Sequence, residues 1–576
     1  MIPNQKVEHV GKLIRQLRRQ RNMTQTELGA SHYSKSYVSA VEKHTIRPSS
    51  AALRFFAEQL DQRSDYFTML LEGTENIKQG TALPGPLEMG SQFLQDDGFS
   101  LLYLLMQHTE PLSLQSLKGL PTLAPEDLAA LPTFKQSYYF LLKGLRDLAK
   151  EEYAAALRAL EHALPLAPAQ LQPLALDALG QYYFLTGSSS IALHYHLRAL
   201  ASLQHADVQE IKNSLLFTIA LHCGEDYRIL GDYARGRVMY EQGCKHLRAE
   251  HEMKNAARLY LGLGYCTYAL TYQEAQMPEA KERVLSGEIE RGFQQAISYI
   301  AQSRSIYQVS ADYRGEATSR LLQALAQLDY ITRYRQLAAP IGATFAASSL
   351  LLLEDAEEQC RQVLISLQNT PEQEEANAPH DATIFEALAH LLHVFIQRAI
   401  IARLRGQHST ALRERIYAAY LCQQILDKLV QPALPWKFVE EILSRQTERS
   451  MPDSPPLPHL PEMSLDSATY HWRCSGLVEI YCAVAEVAEE LGNTAASSNY
   501  RCDCYSQADR CFHTALALAQ SVVSDRERDP GYLVRHRQRY VSLLEERLAS
   551  SPEDLKETSD VLATLLKEGL AQLQSA

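Results

Sequence analysis

The sequence predicts an all-α chain, a small helical domain followed by a long array of helix pairs. Three observations carry this. Strand signals are nearly absent along the 576 residues, residues 24–48 hold two short helical patterns joined by a polar turn, and after residue 130 small and aromatic residues recur at the spacing of a helix pair. A chain this long exceeds what one hydrophobic core can organise, so several domains or a repeat array are expected.

The first element of the pair starts at Thr24, an N-cap candidate with Glu27 at the capping-box spacing. A short turn near Tyr33 leads to a second helix from Ser34 to about Lys43. Leu28, Val38 and Val41 are the apolar positions on which the two helices pack, with Leu53, Phe56 and Leu60 following on the next helix. Ser34, Lys35, Ser36 and Ser39 leave a polar face of mostly small side chains at the start of the second helix. A helix that reads a DNA major groove, about 12 Å wide, needs short polar and basic side chains at that place.

These residues resemble the Cro/cI-type (XRE family) helix-turn-helix domains over roughly residues 7–70, through Thr24-Gln25-x-x-Leu28, Val38-Ser39-x-x-Glu42 and Arg47-Pro48-Ser49. The resemblance implies a small five-helix DNA-binding domain. By that likeness Gln25 meets phosphate or a base edge, Lys35, Ser36 and Ala40 face bases, and Arg47 touches phosphate. Arg18 pairs with Glu42 to lock the first helix onto the recognition helix. The sequence departs from the pattern at Gly29, where alanine is usual, and at His32-Tyr33, where the turn lacks its glycine.

Charge agrees with this division of labour. Residues 1–63 carry eleven Lys/Arg against five Asp/Glu, a net +6, so a total of −12 leaves −18 on the remainder. Only the N-terminal region is built to meet phosphate. No apolar export segment follows Met1, and the ten cysteines are unpatterned, which predicts a reducing cytoplasm and free thiols. Gln336 to Leu353 lacks charge but contains Pro340, Gly342, Ser348 and Ser349, and is short for a membrane span.

Beyond residue 130, Phe140, Gly144, Tyr153, Ala156, Leu160, Ala163 and Pro168 sit at helix–turn–helix repeat spacings. Gly180, Tyr183, Gly187, Ala192 and Ala199 repeat the pattern, as do Gly224, Tyr227, Gly231, Gly236, Tyr240 and Gly243. Small residues let two helices approach, and Tyr and Leu fill the gaps. This resembles the tetratricopeptide repeat, clearly over 131–245 and more faintly to about 525, and implies a helical superhelix. Thr370 to Ala382, acidic with two prolines, reads as an exposed loop, and five prolines between 450 and 466 place a boundary. The expected domains are 1–72, the DNA-binding domain; 73–130, a helical linker; 131–449, the tetratricopeptide-like domain; 450–466, a Pro-rich linker; and 467–576, C-terminal helical repeats.

No phosphate loop, His-Glu-x-x-His or Gly-x-Ser-x-Gly occurs, so no enzyme is expected and no cofactor is implied. Cys502, Cys504 and Cys511 with His513 lack zinc-site spacing and read as thiols rather than ligands, and His162, His194 and His196 lie on scattered faces, so no metal site is expected. The resemblance to tetratricopeptide arrays implies a ligand groove lined by first helices. Carried over, those positions are Asp177, Gln181 and Phe184, then His222, Glu225 and Arg228, then Arg258, Tyr265 and Tyr268. The plainer alternative is a solvated helix face.

Joined, the two parts resemble the peptide-receptor regulators of quorum sensing (the Rgg, PlcR, PrgX and NprR group). The resemblance implies a sequence-specific transcriptional regulator. Its implied partners are double-stranded DNA, a peptide or protein ligand and a second copy of itself, with no membrane. The rival expectation is a protein-interaction scaffold that uses the helix-turn-helix only as a DNA tether.

Overall fold

The computed structural model describes residues 14–15, 18–19, 23–29, 32–43, 46, 48–60, 123–203, 209–247, 253–277, 279–337, 343–368, 377–428, 470–494, 498–524 and 530–550. Helices are the only regular structure among the described residues, as the sequence predicts. Two compact units are present. One comprises Met1–Arg228, Asp232–Cys266 and Ala301–Glu316, the other Ile229–Gly231, Thr267–Ile300 and Ala317–Ala576. This division runs through the predicted 131–449 segment, while the Pro-rich stretch 450–466 lies outside the described residues.

In the N-terminal part of the first unit the described residues include the short helices α1 (Gln25–Gly29), α2 (Lys35–Glu42) and α3 (Ser50–Gln59), with 14–15 and 18–19 helical before them. Leu28, Val38, Val41, Leu53, Phe56 and Leu60 are all buried, so the apolar positions picked from sequence do form the core there. The turn that lacks its glycine is built on aromatics instead. Tyr33 stacks on Tyr37 at 5.1 Å and meets Phe55 and Phe56, and His32 lies 4.8 Å from Phe55.

After α4 (Pro125–Ala130) come three helix hairpins: α5 (Thr133–Ala149) with α6 (Tyr153–Leu166), α7 (Gln172–Leu185) with α8 (Ser189–Ser202), and α9 (Gln209–Ile229) with α10 (Tyr233–His246). On α5, Tyr138, Leu141, Leu142, Leu145 and Leu148 form one apolar stripe, which packs on Ala156, Leu160 and Ala163 of α6. The close approach is made at glycine. A Cβ on Gly144 would lie 2.5 Å from the Leu160 side chain, and one on Gly224 would lie 2.7 Å from the Tyr240 ring.

The hairpin turns share one design. Gly187 and Gly231 adopt positive φ, as do Gly406 further on and the non-glycines Glu151 and Ala311. Each is followed by an amide that reaches back to the helix end: Glu152 N to Asp147 O at 2.8 Å, Ser188 N to Tyr183 O at 2.8 Å, and Gln407 N to Ala402 O at 2.9 Å. This left-handed cap satisfies the last carbonyls of the helix and reverses the chain.

The later helices are α11 (Met253–Glu274), α12 (Ala280–Leu285), α13 (Glu288–Ser310), α14 (Tyr313–Leu337), α15 (Ala343–Gln368), α16 (Asn377–Leu404), α17 (His408–Lys428), α18 (Tyr470–Asn493), α19 (Ser498–Ser524) and α20 (Pro530–Ser550). In the second unit α16 packs against α15, α17 and α18, and α18 against α19, with Leu388, Leu392, Phe395, Val478, Val484 and Phe512 buried.

One sequence expectation changes here. The stretch 370–382 is not all loop, because α16 already begins at Asn377. Pro379 falls in its first turn, where a missing N–H costs nothing. The uncharged stretch 336–353, by contrast, is divided as its Pro340 and Gly342 lead one to expect: α14 ends at Leu337 and α15 begins at Ala343. Among the described residues one other helix, Thr383–Leu404, is long and apolar enough to cross a membrane, and 89% of its apolar window is buried in the fold. All nine cysteines with described side chains are free thiols. Cys504 and Cys511 are buried whereas Cys502 and His513 are exposed, so that group does not converge.

Candidate functional site

The N-terminal candidate is set by local hydrogen bonding. Thr24 and Glu27 cap α1 reciprocally: the Thr24 amide donates to Glu27 Oε2 at 2.6 Å, and the Glu27 amide to Thr24 Oγ1 at 3.2 Å. That backbone hydrogen bond holds the Glu27 carboxyl below its ordinary range. Ser34 caps α2 by accepting from the Tyr37 amide at 3.2 Å. Beneath, Arg18 donates Nε to Glu42 Oε1 at 2.6 Å and Nη2 to Oε2 at 3.1 Å, and Nη1 to the Met23 carbonyl at 2.6 Å. The pair is buried, and its hydrogen bond raises the Arg18 pKa. The expected Arg18–Glu42 lock is therefore present in the geometry.

With α2 fixed in this way, Ser34, Lys35 and Ser36 are exposed at its start, and Ser39 and Ala40 are half-buried behind them. Gln25 has a contact that the sequence does not predict. Its amide donates to Glu42 Oε2 at 2.8 Å, which braces the ion pair in addition to the expected role at the helix start. Arg47 lies outside the described residues.

The residues expected to line a groove divide into three groups. On α7 and α9, Asp177 and His222 are buried against each other, with His222 Nδ1 donating to Asp177 Oδ1 at 2.8 Å. Gln181 donates to Asp177 Oδ2 at 3.0 Å. Burial opposes the charge on Asp177, but the two neighbouring imidazoles and the Gln181 amide outweigh it and keep the carboxyl below its usual range. Further along α9, Glu225 accepts a forked set of bonds from Arg258 of α11 at 2.8–3.1 Å. The Arg228 guanidinium lies 5.4 Å above the Tyr265 ring, which Tyr233 meets edge-on at 5.9 Å. Phe184 is half-buried at the end of α7.

Two corrections follow. Asp177 and His222 are core groups, because their side chains satisfy each other and do not face solvent. Tyr268 belongs to the second unit, where it is buried and its hydroxyl donates to Asp329. Gln181, Phe184, Glu225, Arg228, Arg258 and Tyr265 are each half-buried.

One feature escaped sequence reasoning. His196, on α8, joins Asp177 and His222: its Nδ1 donates to Asp226 Oδ2 at 2.5 Å and its Nε2 lies 3.7 Å from Asp177 Oδ1. The signal was present, since His196 stands from Gly180 as Leu160 stands from Gly144 and Tyr240 from Gly224, in a slot that is otherwise apolar or aromatic. In the second unit a partly open pocket is lined by polar groups including Asp329, Arg333, His393, Glu486 and Arg539.

Taken together, the fold and these sites define an all-α, helical-repeat protein with a small helix–turn–helix arrangement at its N-terminal side. No protein-family model matches the chain, and no curated protein is significantly similar to it. Among solved structures it is similar to Bacillus thuringiensis PlcR in complex with the peptide PapR7 and DNA, at 16% identity and a TM-score of 0.27, covering 54% of this chain and 99% of that one.

Proposed function

We propose that this chain is a sequence-specific DNA-binding transcriptional regulator whose helical-repeat body senses a peptide or protein ligand. The observation that carries the DNA half is the exposed start of α2. Ser34, Lys35 and Ser36 stand clear on a helix that the buried Arg18–Glu42 pair locks in place. The domain's local excess of positive charge supports the same reading, since phosphate contacts supply most of the affinity for any duplex. One such helix makes few contacts, so the protein acts as a dimer on two half-sites about one helical turn apart, roughly 34 Å. For the ligand half, the support is that Gln181, Arg228 and Tyr265 are half-buried rather than in the core, on successive first helices, with the Arg228 guanidinium over the Tyr265 ring.

A second reading is a protein-interaction scaffold with DNA as an address. It is favoured by the internal pairing of Glu225 with Arg258 and of Asp177 with His222, which removes four polar groups from any ligand. The test is selection of bound DNA with the full chain, followed by Lys35→Ala. A base-reading lysine predicts changed sequence preference, worth about 1–3 kcal/mol at one position. Uniform weakening on every sequence, or no sequence selected by the parent protein, rejects the regulator reading. Gln181→Ala, Arg228→Ala and Tyr265→Ala, each checked for folding, then separate the sensor from the scaffold: a sensor loses its response to peptide and keeps its DNA affinity.

A further inference from the structure

The buried group made by Asp177, His196 and His222 stands where this fold otherwise stores hydrocarbon. The residue packed on the slot glycine is Leu160 in the first hairpin and Tyr240 in the third, but His196 in the second. At the place of Asp177, three residues before its glycine, the neighbouring hairpins have Leu141 and Leu221, both fully buried. His222 corresponds in the same way to Leu142 and Ala178. Three ionisable side chains in positions that would accept leucine are costly to bury unless something holds them.

The three side chains bring their ligand atoms close together. One donor atom from each of the three lies within 4.8 Å of the other two. Asp177 Oδ1 is 2.8 Å from His222 Nδ1 and 3.7 Å from His196 Nε2. Ligand atoms at tetrahedral positions around an ion with bonds of about 2.0–2.1 Å lie ~3.3 Å apart, a value that falls between the two Asp177 separations, and the two imidazole nitrogens lie within 4.8 Å of each other. Other polar atoms of the cluster are held by neighbours. Gln181 takes Asp177 Oδ2, and Asp226 takes His196 Nδ1 at 2.5 Å.

His196 Nε2 has no hydrogen-bond partner although its side chain is only 1% exposed. The Asp226–His196 contact has the form of a carboxylate that orients a ligating imidazole and fixes its tautomer. Gly180 makes room for the ring, since a Cβ there would come within 2.2 Å of it.

We propose that Asp177, His196 and His222 bind a divalent transition-metal ion, zinc above all, with Asp226 and Gln181 as the outer supports. Two imidazoles and one carboxylate suit a borderline ion, whereas calcium and magnesium prefer all-oxygen sets. Ligation replaces the Asp177–His222 hydrogen bond and ties α7, α8 and α9 through a single point. Because the ligand atoms come from two successive hairpins, the ion acts as a staple between repeats. This inference is independent of the DNA reading.

The test uses the full-length chain stripped with a chelator and titrated with Co²⁺, then Zn²⁺. One equivalent of Co²⁺ per chain with the visible d–d absorption of a four-coordinate site is expected, bleached by Zn²⁺, and Zn²⁺ should raise the thermal midpoint, because an ion that binds only the folded state stabilises it. Asp226→Asn, nearly isosteric, should weaken Co²⁺ binding about 10–100-fold, and His222→Gln should abolish the absorption. Absence of stoichiometric binding to the parent chain overturns the proposal, whatever the variants do. So does an unchanged Co²⁺ spectrum and affinity in folded Asp226→Asn and His222→Gln.

Discussion

The two units close their helix pairs by different means. In the first, a glycine on one helix receives a bulky side chain from the next: Leu160 on Gly144, His196 on Gly180, Tyr240 on Gly224. Among the described residues the second has close glycine contacts at Gly492 against Tyr505 and at Gly292 against Thr271, but α20 is held to α18 and α19 by arginines. Arg539 donates to Glu479 Oε2 at 2.9 Å and to Glu486 Oε1 at 2.7 and 3.0 Å. Arg547 reaches Glu489 at 2.6 Å and Asp509 at 3.0 Å. Arg403, on α16, spans Glu490 at 3.1 Å. Steric complementarity tolerates a change of shape poorly but is indifferent to pH. Buried ion pairs tolerate neither the loss of one partner nor a change in its ionisation.

The largest expected effect is therefore in the second unit. Arg539→Met should cost about 3–5 kcal/mol, because it leaves Glu486 without its guanidinium and takes one of two from the buried Glu479. Burial alone would raise the Glu479 carboxyl, and Arg535, His536 and Arg539 together hold it well below its ordinary range. The denaturant midpoint of the second unit's transition is the measurement. Adding Glu486→Gln to the variant should recover part of the loss, since the unpaired charge rather than the missing contact is the main penalty. A loss under about 1 kcal/mol would show that water, not arginine, satisfies these carboxylates.

This contrast also explains what was legible in the sequence. The helix–turn–helix arrangement could be read because its determinants are local: Thr24 with Glu27, Ser34 with Tyr37, and Arg18 with Glu42 all fall within one short stretch. The early hairpins could be read because glycine spacing is itself the packing rule. Glu151 and Ala311 show its limit, since they take the left-handed turn without the glycine that would advertise it, a conformation that costs a non-glycine residue about 1–2 kcal/mol.

The Asp177–His196–His222 cluster was not legible. Its members lie on three helices, and whether they meet depends on helix register and crossing, which periodicity leaves open. The same holds for Arg539 and Glu479, 60 residues apart on separate helices. The hydrogen bond from Gln25 to Glu42, 17 residues on, is hidden from the sequence for the same reason.

A second experiment breaks the glycine side of the comparison. Gly144→Ala should destabilise the first unit by about 1–3 kcal/mol through overpacking against Leu160, whose side chain would lie 2.5 Å from the new methyl. In a Leu160→Ala background, already weakened by its cavity, the same substitution should cost almost nothing, because the clash has gone. Additive losses in the double variant would mean that helix propensity or backbone shift, not the slot, governs this hairpin.

The smallest effect at neutral pH concerns His390, on α16 in the second unit, and it separates the two halves by pH. His390 is 6% exposed, and its Nδ1 has no hydrogen-bond partner. Burial pushes its pKa down to about 3, and Arg535, His393 and Arg539 push the same way against the opposing charge of Glu479. A histidine whose folded pKa lies below its unfolded value of about 6.5 binds fewer protons when folded, so its contribution to stability is complete above that value and is lost as pH falls towards 3. The slope is about 1.4 kcal/mol per pH unit once the unfolded chain is protonated.

His390→Leu should leave the thermal midpoint at pH 7.5 within a few degrees of the parent, because it replaces an unsatisfied polar atom by an apolar group of similar size. Between pH 6 and 4 the variant's midpoint should fall less steeply than the parent's. The first unit's transition should show no such difference between the two proteins. Parallel pH profiles for parent and variant in the second unit would place the acid sensitivity on the carboxylates that the arginines hold, and the ion-paired core itself would become the titrating element.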